Sequence, residues 1–344
     1  SSSLEYPCGP SDIGTWTVST SVMALAVGAR CRGHACSLSK QGTLSNRQWI
    51  RRVSSQKVML NYQEKPPAGM RNGRYIDQPD KGDIMDKAAM YETLMHDART
   101  LPAIPTLESY GFALDKCPSK VVNFEDRQEV ENVYYAEMRD VVKRLAGADT
   151  VLVFDHTIRQ SGNTNLNAEA GSSAAPVPRV HCDYTADGAP RRLQLLGKEG
   201  INSLKRGRKL TETEVDKLAA GRFAFINVWR PITDEPVYRM PLAVCDERSV
   251  DKEDRFLYEL VFPHRIGENY SLKFSADQKW YYFPRQTKDE ALVFTVYDKK
   301  EDGPRFVFHT AFDDPSTPAD APPRRSIEAR TIAFFKEDDD FRRT

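Results

Sequence analysis

A histidine and an aspartate stand two residues apart in Val180-His181-Cys182-Asp183-Tyr184. Side chains alternate along an extended segment, so His181 and Asp183 project from one face and Cys182 from the other. A distant third imidazole would complete two nitrogen donors and one carboxylate, the facial set that holds Fe(II) and leaves positions open for a co-substrate and O2. His309, inside Phe306-Val307-Phe308-His309-Thr310-Ala311-Phe312, is the expected third ligand; His264, in the loop-like Pro263-His264-Arg265-Ile266-Gly267, is its rival. Further on, Arg324, Ser326, Glu328 and Arg330 share one face of an extended run, with Ile327, Ala329 and Thr331 on the other. A guanidinium binds a carboxylate through two parallel hydrogen bonds, and a hydroxyl two residues away adds a third. Arg324 with Ser326 therefore suits the distal carboxylate of 2-oxoglutarate, and Arg330 could share the task. The competing reading of the same row is a solvated surface stripe.

Those residues must be placed by a scaffold, and the scaffold reads as β. After Gly147 there are eight β-rich runs: Val151–Ile158, Val180–Thr185, Phe223–Trp229, Pro241–Asp246, Trp280–Arg285, Ala291–Asp298, Arg305–Asp313 and Ser326–Phe335. Turn residues such as Pro231, Pro284, Gly303 and Pro315 bound several of them. One helical segment intervenes, Thr211–Ala220, opened by a Thr211/Glu214 capping box. Successive strands without alternating helices predict a mainly β protein with flanking helices and a double-stranded β-helix core of the jelly-roll or cupin kind. His181 and Asp183 then fall on the second strand, His309 on the seventh and Arg324 at the start of the eighth.

Upstream, Asp80–Thr100 and Asp126–Leu145 have helical composition. In the second, Val130, Val133, Tyr134, Met138, Val141, Val142 and Leu145 form an apolar face, and Gly147 stops the helix. Tyr110–Leu114 reads as a short extended element between the two. The expected division is an irregular extension over residues 1–80 and a single β-helix domain over 81–344, with helices of 81–147 packed outside the barrel. Residues 13–63 contain no Asp or Glu but several Arg and Lys, a composition shared with organelle transit peptides, although a draped extension is the plainer reading.

Composition narrows the classes. The 344 residues carry 49 Lys+Arg against 49 Asp+Glu, so no global field favours nucleic acid or an anionic membrane. No apolar run reaches the roughly 18 residues of a membrane span. The six cysteines show neither a CxxC nor a zinc spacing and read as reduced thiols of a cytoplasmic protein. No GxGxxG accompanies βα alternation, which weighs against a methyltransferase; a non-catalytic, ligand-binding β-sandwich is the other alternative. Asn227 and Arg230, flanking Trp229, could hold a co-substrate or substrate or simply shape the turn before Pro231. Of the aromatic triplet Trp280-Tyr281-Tyr282, whichever of Tyr281 and Tyr282 faces inward, expected to be Tyr282, could donate a hydrogen bond to the co-substrate. His156 reads as structural, and His34 and His96 as surface residues.

Six blocks occur in order: Phe154-Asp155-His156-Thr157-Ile158-Arg159, Val180-His181-Cys182-Asp183-Tyr184-Thr185, Asn227-Val228-Trp229-Arg230-Pro231, Leu242-Ala243-Val244-Cys245-Asp246, Trp280-Tyr281-Tyr282-Phe283-Pro284 and Arg324-Arg325-Ser326-Ile327-Glu328-Ala329-Arg330. Together they resemble the AsaB-type hydroxylase/desaturase family, which includes fungal gibberellin desaturase and is similar to the CmcJ component of cephamycin methoxylation. The resemblance spans about Tyr110 to Phe335. It implies Fe(II)/2-oxoglutarate-dependent oxidation of a small molecule in fungal secondary metabolism, with O2 as co-substrate and ascorbate in support. Carried over, His181, Asp183 and His309 are the iron ligands and Arg324 with Ser326 the clamp on 2-oxoglutarate. Hydroxylation, desaturation and ring formation all remain open outcomes.

Overall fold

Two sheets face each other across an aromatic interior. The computed structural model describes residues 55–76, 81, 84–164, 173–199, 211–263 and 265–336. The larger sheet has nine strands. In spatial order they are β1 (Ser55–Gln63), β3 (Ala88–Asp97), β11 (Trp280–Tyr282), β8 (Leu242–Cys245), β13 (His309–Ala311), β6 (His181–Cys182), β10 (Ile266–Leu272), β9 (Arg255–Val261) and β2 (Gly73–Tyr75). The smaller has five, in the order β4 (Phe112–Lys116), β12 (Glu290–Asp298), β7 (Phe223–Pro231), β14 (Arg325–Phe334) and β5 (Thr150–Gln160). Every pairing within the smaller sheet is antiparallel, as expected of a jelly roll and not of a nucleotide-binding α/β sheet.

The smaller sheet is covered on both faces, and the period of two sorts its residues cleanly. Along β7, Phe223, Phe225 and Trp229 join the interior cluster with Val180, Val244, Phe294 and Phe308, while Ala224, Ile226 and Val228 join a second cluster on the back. That back cluster is closed by a continuous helical segment made of α1 (Arg127–Glu129), a π-helical turn (Val130–Tyr134) and α2 (Tyr135–Ala146). Tyr134, Met138 and Val142 press on Val153, Ala329 and Ala333; the alanines let the helix approach the sheet. Asp126 caps the start by accepting from the amides of Gln128 and Glu129. Gly147, at φ +66°, ends the helix in the left-handed conformation that a glycine adopts without strain. Two further helices, α3 (Gly188–Glu199) and α4 (Glu212–Ala220), follow β6, the latter with the expected Thr211/Glu214 capping box.

All eight expected β runs contain strands, and Tyr110–Leu114 overlaps β4. The expected helix over Asp80–Thr100 is instead β3, paired with β1 over nine consecutive positions. Its Met, Ala and Glu favour a helix, but Thr93, Met95 and Asp97 are buried alternately with exposed Glu92 and Leu94, and cross-strand pairing overrides that weak propensity. The expected boundary at residue 80 therefore runs through the nine-stranded sheet, since β1 and β2 precede it. The rest of the expected extension, residues 1–54, lies outside the described residues. Strands β9 and β10 had no counterpart in the sequence reading; their alternation is blurred by Glu259, Glu268 and Asn269.

Candidate metal centre

β6 and β13 are neighbours in the nine-stranded sheet, and their register sets His309 directly opposite His181. The two imidazole centroids lie 4.3 Å apart. Asp183 follows β6 by one residue, and its Oδ1 is 3.5 Å from Nε2 of His181 and 3.9 Å from Nε2 of His309. One ligand atom from each of the three lies within 4.8 Å of the others. Donors in cis positions on an ion with bonds of about 2.1 Å stand roughly 3 Å apart, so a small contraction would close the set.

The protein fixes which atoms face the ion. Nδ1 of His181 lies 2.7 Å from the carbonyl of Arg179, and Nδ1 of His309 lies 3.2 Å from that of Val307. A carbonyl can only accept, so each Nδ1 carries the proton and each Nε2 presents a lone pair. Burial, then the neighbouring His181, pushes the His309 imidazole down to about 3 against the opposing pull of Asp183, so it is neutral at physiological pH. Burial alone would raise the Asp183 carboxyl, but the neighbouring His181, His309 and Arg330 more than offset this and hold it below the usual carboxylate range. Two neutral imidazoles and an ionised carboxylate are what Fe(II) takes.

The carboxylate has a second anchor from the opposite sheet. Asn227 on β7 donates its side-chain N–H to Oδ2 of Asp183 at 2.8 Å. The other oxygen, Oδ1, is thereby aimed at the two Nε2 atoms. Asn227, anticipated as a co-substrate contact, is thus placed on a ligand. Arg330 is also set here: it lies 2.9 Å from Glu328, 3.3 Å from Asp155 and 3.9 Å from Asp183, and donates to the Thr157 hydroxyl at 2.9 Å. Burial penalises its charge, but those carboxylates hold it firmly protonated. The structure does not bring Arg330 to Arg324 as a shared clamp, because its guanidinium is already matched by acids.

Arg324 and Ser326 lie further along the same inner face, and both are buried. The Arg324 guanidinium packs 5.4 Å from the ring of Trp229 and donates one N–H to the carbonyl of Met240. Its Nε and the Ser326 hydroxyl have no hydrogen-bond partner. Burial and then the neighbouring Arg159 push the Arg324 guanidinium down, with Glu328 opposing. Arg159 stands opposite Ser326 in the β5–β14 register and donates to the carbonyl of Ala175 at 2.7 Å. Buried polar atoms without partners are costly, and an anion lying against them would satisfy both atoms. These groups fit the carboxylate end of 2-oxoglutarate.

Arg159 and Thr157 were missed as site residues, although the alternation Asp155, Thr157, Arg159 was visible in the first strand. A bulge opposite Arg330/Thr331 sets these three on the interior face. Arg230 is a correction. Three positions from Asn227 on one strand, it must face the other way, and it lies on the helix side, donating to Cys117 and sitting 5.4 Å over the Tyr134 ring. Tyr282 is buried, but its hydroxyl accepts from Gln56 at 3.0 Å and its ring meets Phe312 edge-on; it makes no hydrogen bond with the Arg324 pair. His156 is held by the Tyr135 hydroxyl at 2.8 Å behind the sheet, a structural role. His264, the rival third ligand, and His34 lie outside the described residues.

The chain is similar to known proteins over most of its length. A family profile described as an oxidoreductase/YMDC permease-like domain matches residues 55–334, extending well upstream of Tyr110. The Fe(II)/2-oxoglutarate-dependent dioxygenase nvfI of Aspergillus novofumigatus is 31% identical over 281 residues, covering 78% of this chain and 94% of the relative. The hydroxylase/desaturase CTB9 of Cercospora beticola is 32% identical over 252 residues, covering 67% of this chain and 72% of the relative. A solved structure of the iron and alpha-ketoglutarate-dependent endoperoxidase NvfI superposes with a TM-score of 0.70 at 27% identity, covering 83% of this chain and all of that one. These likenesses favour an oxygenase over a methyltransferase or a non-catalytic sandwich. The chain belongs to the AsaB-type hydroxylase/desaturase family of Fe(II)/2-oxoglutarate-dependent dioxygenases.

Proposed function

We propose that this chain hydroxylates or desaturates a small natural-product intermediate, with His181, Asp183 and His309 holding Fe(II) and Arg324 with Ser326 holding the distal carboxylate of 2-oxoglutarate. The observation that carries this reading is the pairing of two features on facing sheets. One is a triad whose free atoms are fixed by backbone carbonyls and Asn227; the other is a buried arginine and serine, each with one polar atom that lacks a partner. Bound iron, with 2-oxoglutarate and O2, supplies the oxidising power to take a hydrogen atom from an unactivated C–H bond. The residues of the chain do the rest. Carbonyls of Arg179 and Val307 keep both imidazoles in one tautomer, and Asn227 keeps Asp183 in one orientation. Arg330 sits beside Asp183 as a fixed positive charge, and the aromatic walls of Trp229, Phe294 and Phe308 exclude water.

Substrate class follows from the interior. Aromatic packing with a few arginines suits a largely apolar metabolite with one or two polar handles, in place of a peptide or a nucleobase. Ascorbate would serve as a supporting reductant in this reading. No helix among the described residues is long and apolar enough to cross a membrane; we propose a cytoplasmic site of action.

Air-free titration with Fe(II) and 2-oxoglutarate tests the assignment. The wild-type protein should develop a weak visible charge-transfer band, and His181→Ala should not. A band of equal strength in His181→Ala would overturn the ligand set.

A further inference from the structure

A cavity of about 310 Å³ opens onto Asp183 and Arg330 from the side of α3. Phe154, Leu195 and Leu260 give it apolar walls on which a small hydrocarbon skeleton can lie. Its acids are already matched. Asp155 pairs with Arg330, Asp183 faces the two histidines, and Glu268 pairs with Arg191 and accepts from the Thr185 hydroxyl. The guanidiniums of Arg192 and Arg265 lie over the rings of Phe154 and Phe262. A bound carboxylate would have to break into these pairings beside Asp155 and Asp183, whereas an uncharged molecule disturbs none of them.

Two neutral groups in the same wall are not matched. Asn269, on β10, is only 8% exposed and lines the cavity. Tyr184 lines it too, directly after the ligand Asp183. Neither the Asn269 amide nor the Tyr184 hydroxyl makes a hydrogen bond to any described residue. The strand register accounts for the position of Asn269. Ser271 pairs with His181 and Tyr270 with Cys182, so the next position brings Asn269 across from Asp183. The Tyr184 ring stacks on Phe225, with centroids 4.3 Å apart and an interplanar angle of 28°, which fixes its place in the wall. A buried amide without a partner costs free energy that a leucine at the same strand position would not. A ligand that hydrogen-bonds to the amide removes that cost.

We propose that the substrate is an uncharged, oxygenated hydrocarbon whose carbonyl or hydroxyl is read by Asn269 and Tyr184. A carbonyl oxygen accepts from the Tyr184 O–H and the Asn269 side-chain N–H; a hydroxyl accepts from Tyr184 and donates to Oδ1 of Asn269. The skeleton lies on Phe154, Leu195 and Leu260, and the oxygen function stands beside Asp183, close to the carbon to be oxidised. This deepens the reading of the centre as an oxygenase and rests on it for the location of the reacting carbon; the hydrogen-bonding pair itself needs no iron.

The test uses matched probes on the decalin and perhydrophenanthrene skeletons: the ketone, the alcohol, the parent hydrocarbon and the carboxylate. Binding is measured by equilibrium dialysis with mass-spectrometric detection. It is run on the protein loaded with Fe(II) and 2-oxoglutarate without air, and repeated on metal-free protein. On at least one skeleton the ketone or the alcohol should bind about tenfold more tightly than the hydrocarbon in both states, as two neutral hydrogen bonds warrant, and more tightly than the carboxylate. Asn269→Leu and Tyr184→Phe should each lower that ratio about threefold. The double variant should bring it to about one while the hydrocarbon still binds. Melting curves establish that the variants are folded. No binding by any probe, equal binding of oxygenated and parent compounds, tightest binding of the carboxylate, or a preference that survives in the folded double variant would overturn the proposal. Its fate is separable from that of the oxygenase reading. A preference for the oxygenated probes without succinate formation on any of them removes the oxygenase and keeps the hydrogen-bonding pair; succinate formation driven as well by the hydrocarbon as by its ketone and alcohol does the reverse.

Discussion

The two faces of the five-stranded sheet are built from the same strands and do opposite work. On β7 and β14, Asn227, Trp229, Arg324, Ser326, Glu328 and Arg330 turn inward toward the triad, whereas Ala224, Ile226, Val228, Ala329 and Ala333 turn outward under α2. One residue of offset separates a polar wall with partnerless atoms from a close-packed apolar one. In the function proposed above, ligands complete the inner face and offset that cost. On the outer face Arg230 has two buried nitrogens lacking partners, whereas His156 bonds to the Tyr135 hydroxyl and Thr331 to the carbonyl of Ile226.

Substitutions can break or sharpen this contrast. The largest effect belongs inside: His181→Ala or Asp183→Ala should abolish turnover and iron retention while the metal-free protein melts close to wild type. Loss of the fold in both would mean the triad is structural. On the outer face, Met138→Ala should cost about 2–5 kcal/mol of stability by opening a cavity under α2. Its 2-oxoglutarate affinity should be unchanged, as measured by denaturant unfolding beside a co-substrate titration. Arg324→Ala should weaken 2-oxoglutarate binding by about 1.5–3 kcal/mol with little change in iron affinity. If the co-substrate affinity is instead insensitive to Arg324 and lost in Arg330→Ala, the clamp lies at the other end of the strand. Asn227→Ala should weaken iron binding about 10–100-fold, the usual penalty for removing a group that orients a ligand. The smallest effect is expected for Arg230→Met: it removes an incompletely partnered buried charge, so stability should change by no more than about 1 kcal/mol, in either direction, with iron and 2-oxoglutarate binding intact. A drop in co-substrate affinity in that variant would return Arg230 to the site.

Much of this was legible before any coordinates. HxD spacing and the Arg-x-Ser face were readable from alternation, the late histidine from its β-rich context, and the strand count put them on the second, seventh and eighth runs. Alternation also shows that Asn227 and Arg230, three apart, cannot share a face; treating them as a pair ignored the rule that located His181 and Asp183. Arg159 was hidden for a different reason, since a bulge shifts the parity of β5 between Val153 and Asp155, and bulges leave no local sequence mark. The β3 error came from composition: Ala, Met, Leu and Glu spoke for a helix, and only the long pairing with β1 decides otherwise. The acids of Arg330, drawn from β5, β6 and β14, are a tertiary fact that no short window contains.

All three triad residues stand on or beside the nine-stranded sheet, whereas Ser326 belongs to the five-stranded one and Arg324 immediately precedes its strand β14. A molecule bound by iron at its oxo-acid end and by arginine at its far end must therefore bridge the gap between sheets, a separation of about 10 Å in stacked β structures. That gap is a ruler. Trp229, Phe294 and Phe308 lie buried in the aromatic cluster that fills it. A diacid one carbon shorter than 2-oxoglutarate would fall short of one wall and one carbon longer would have to buckle, so length selectivity should be tuned by the size of the aromatic spacers while the chemistry at both ends stays the same.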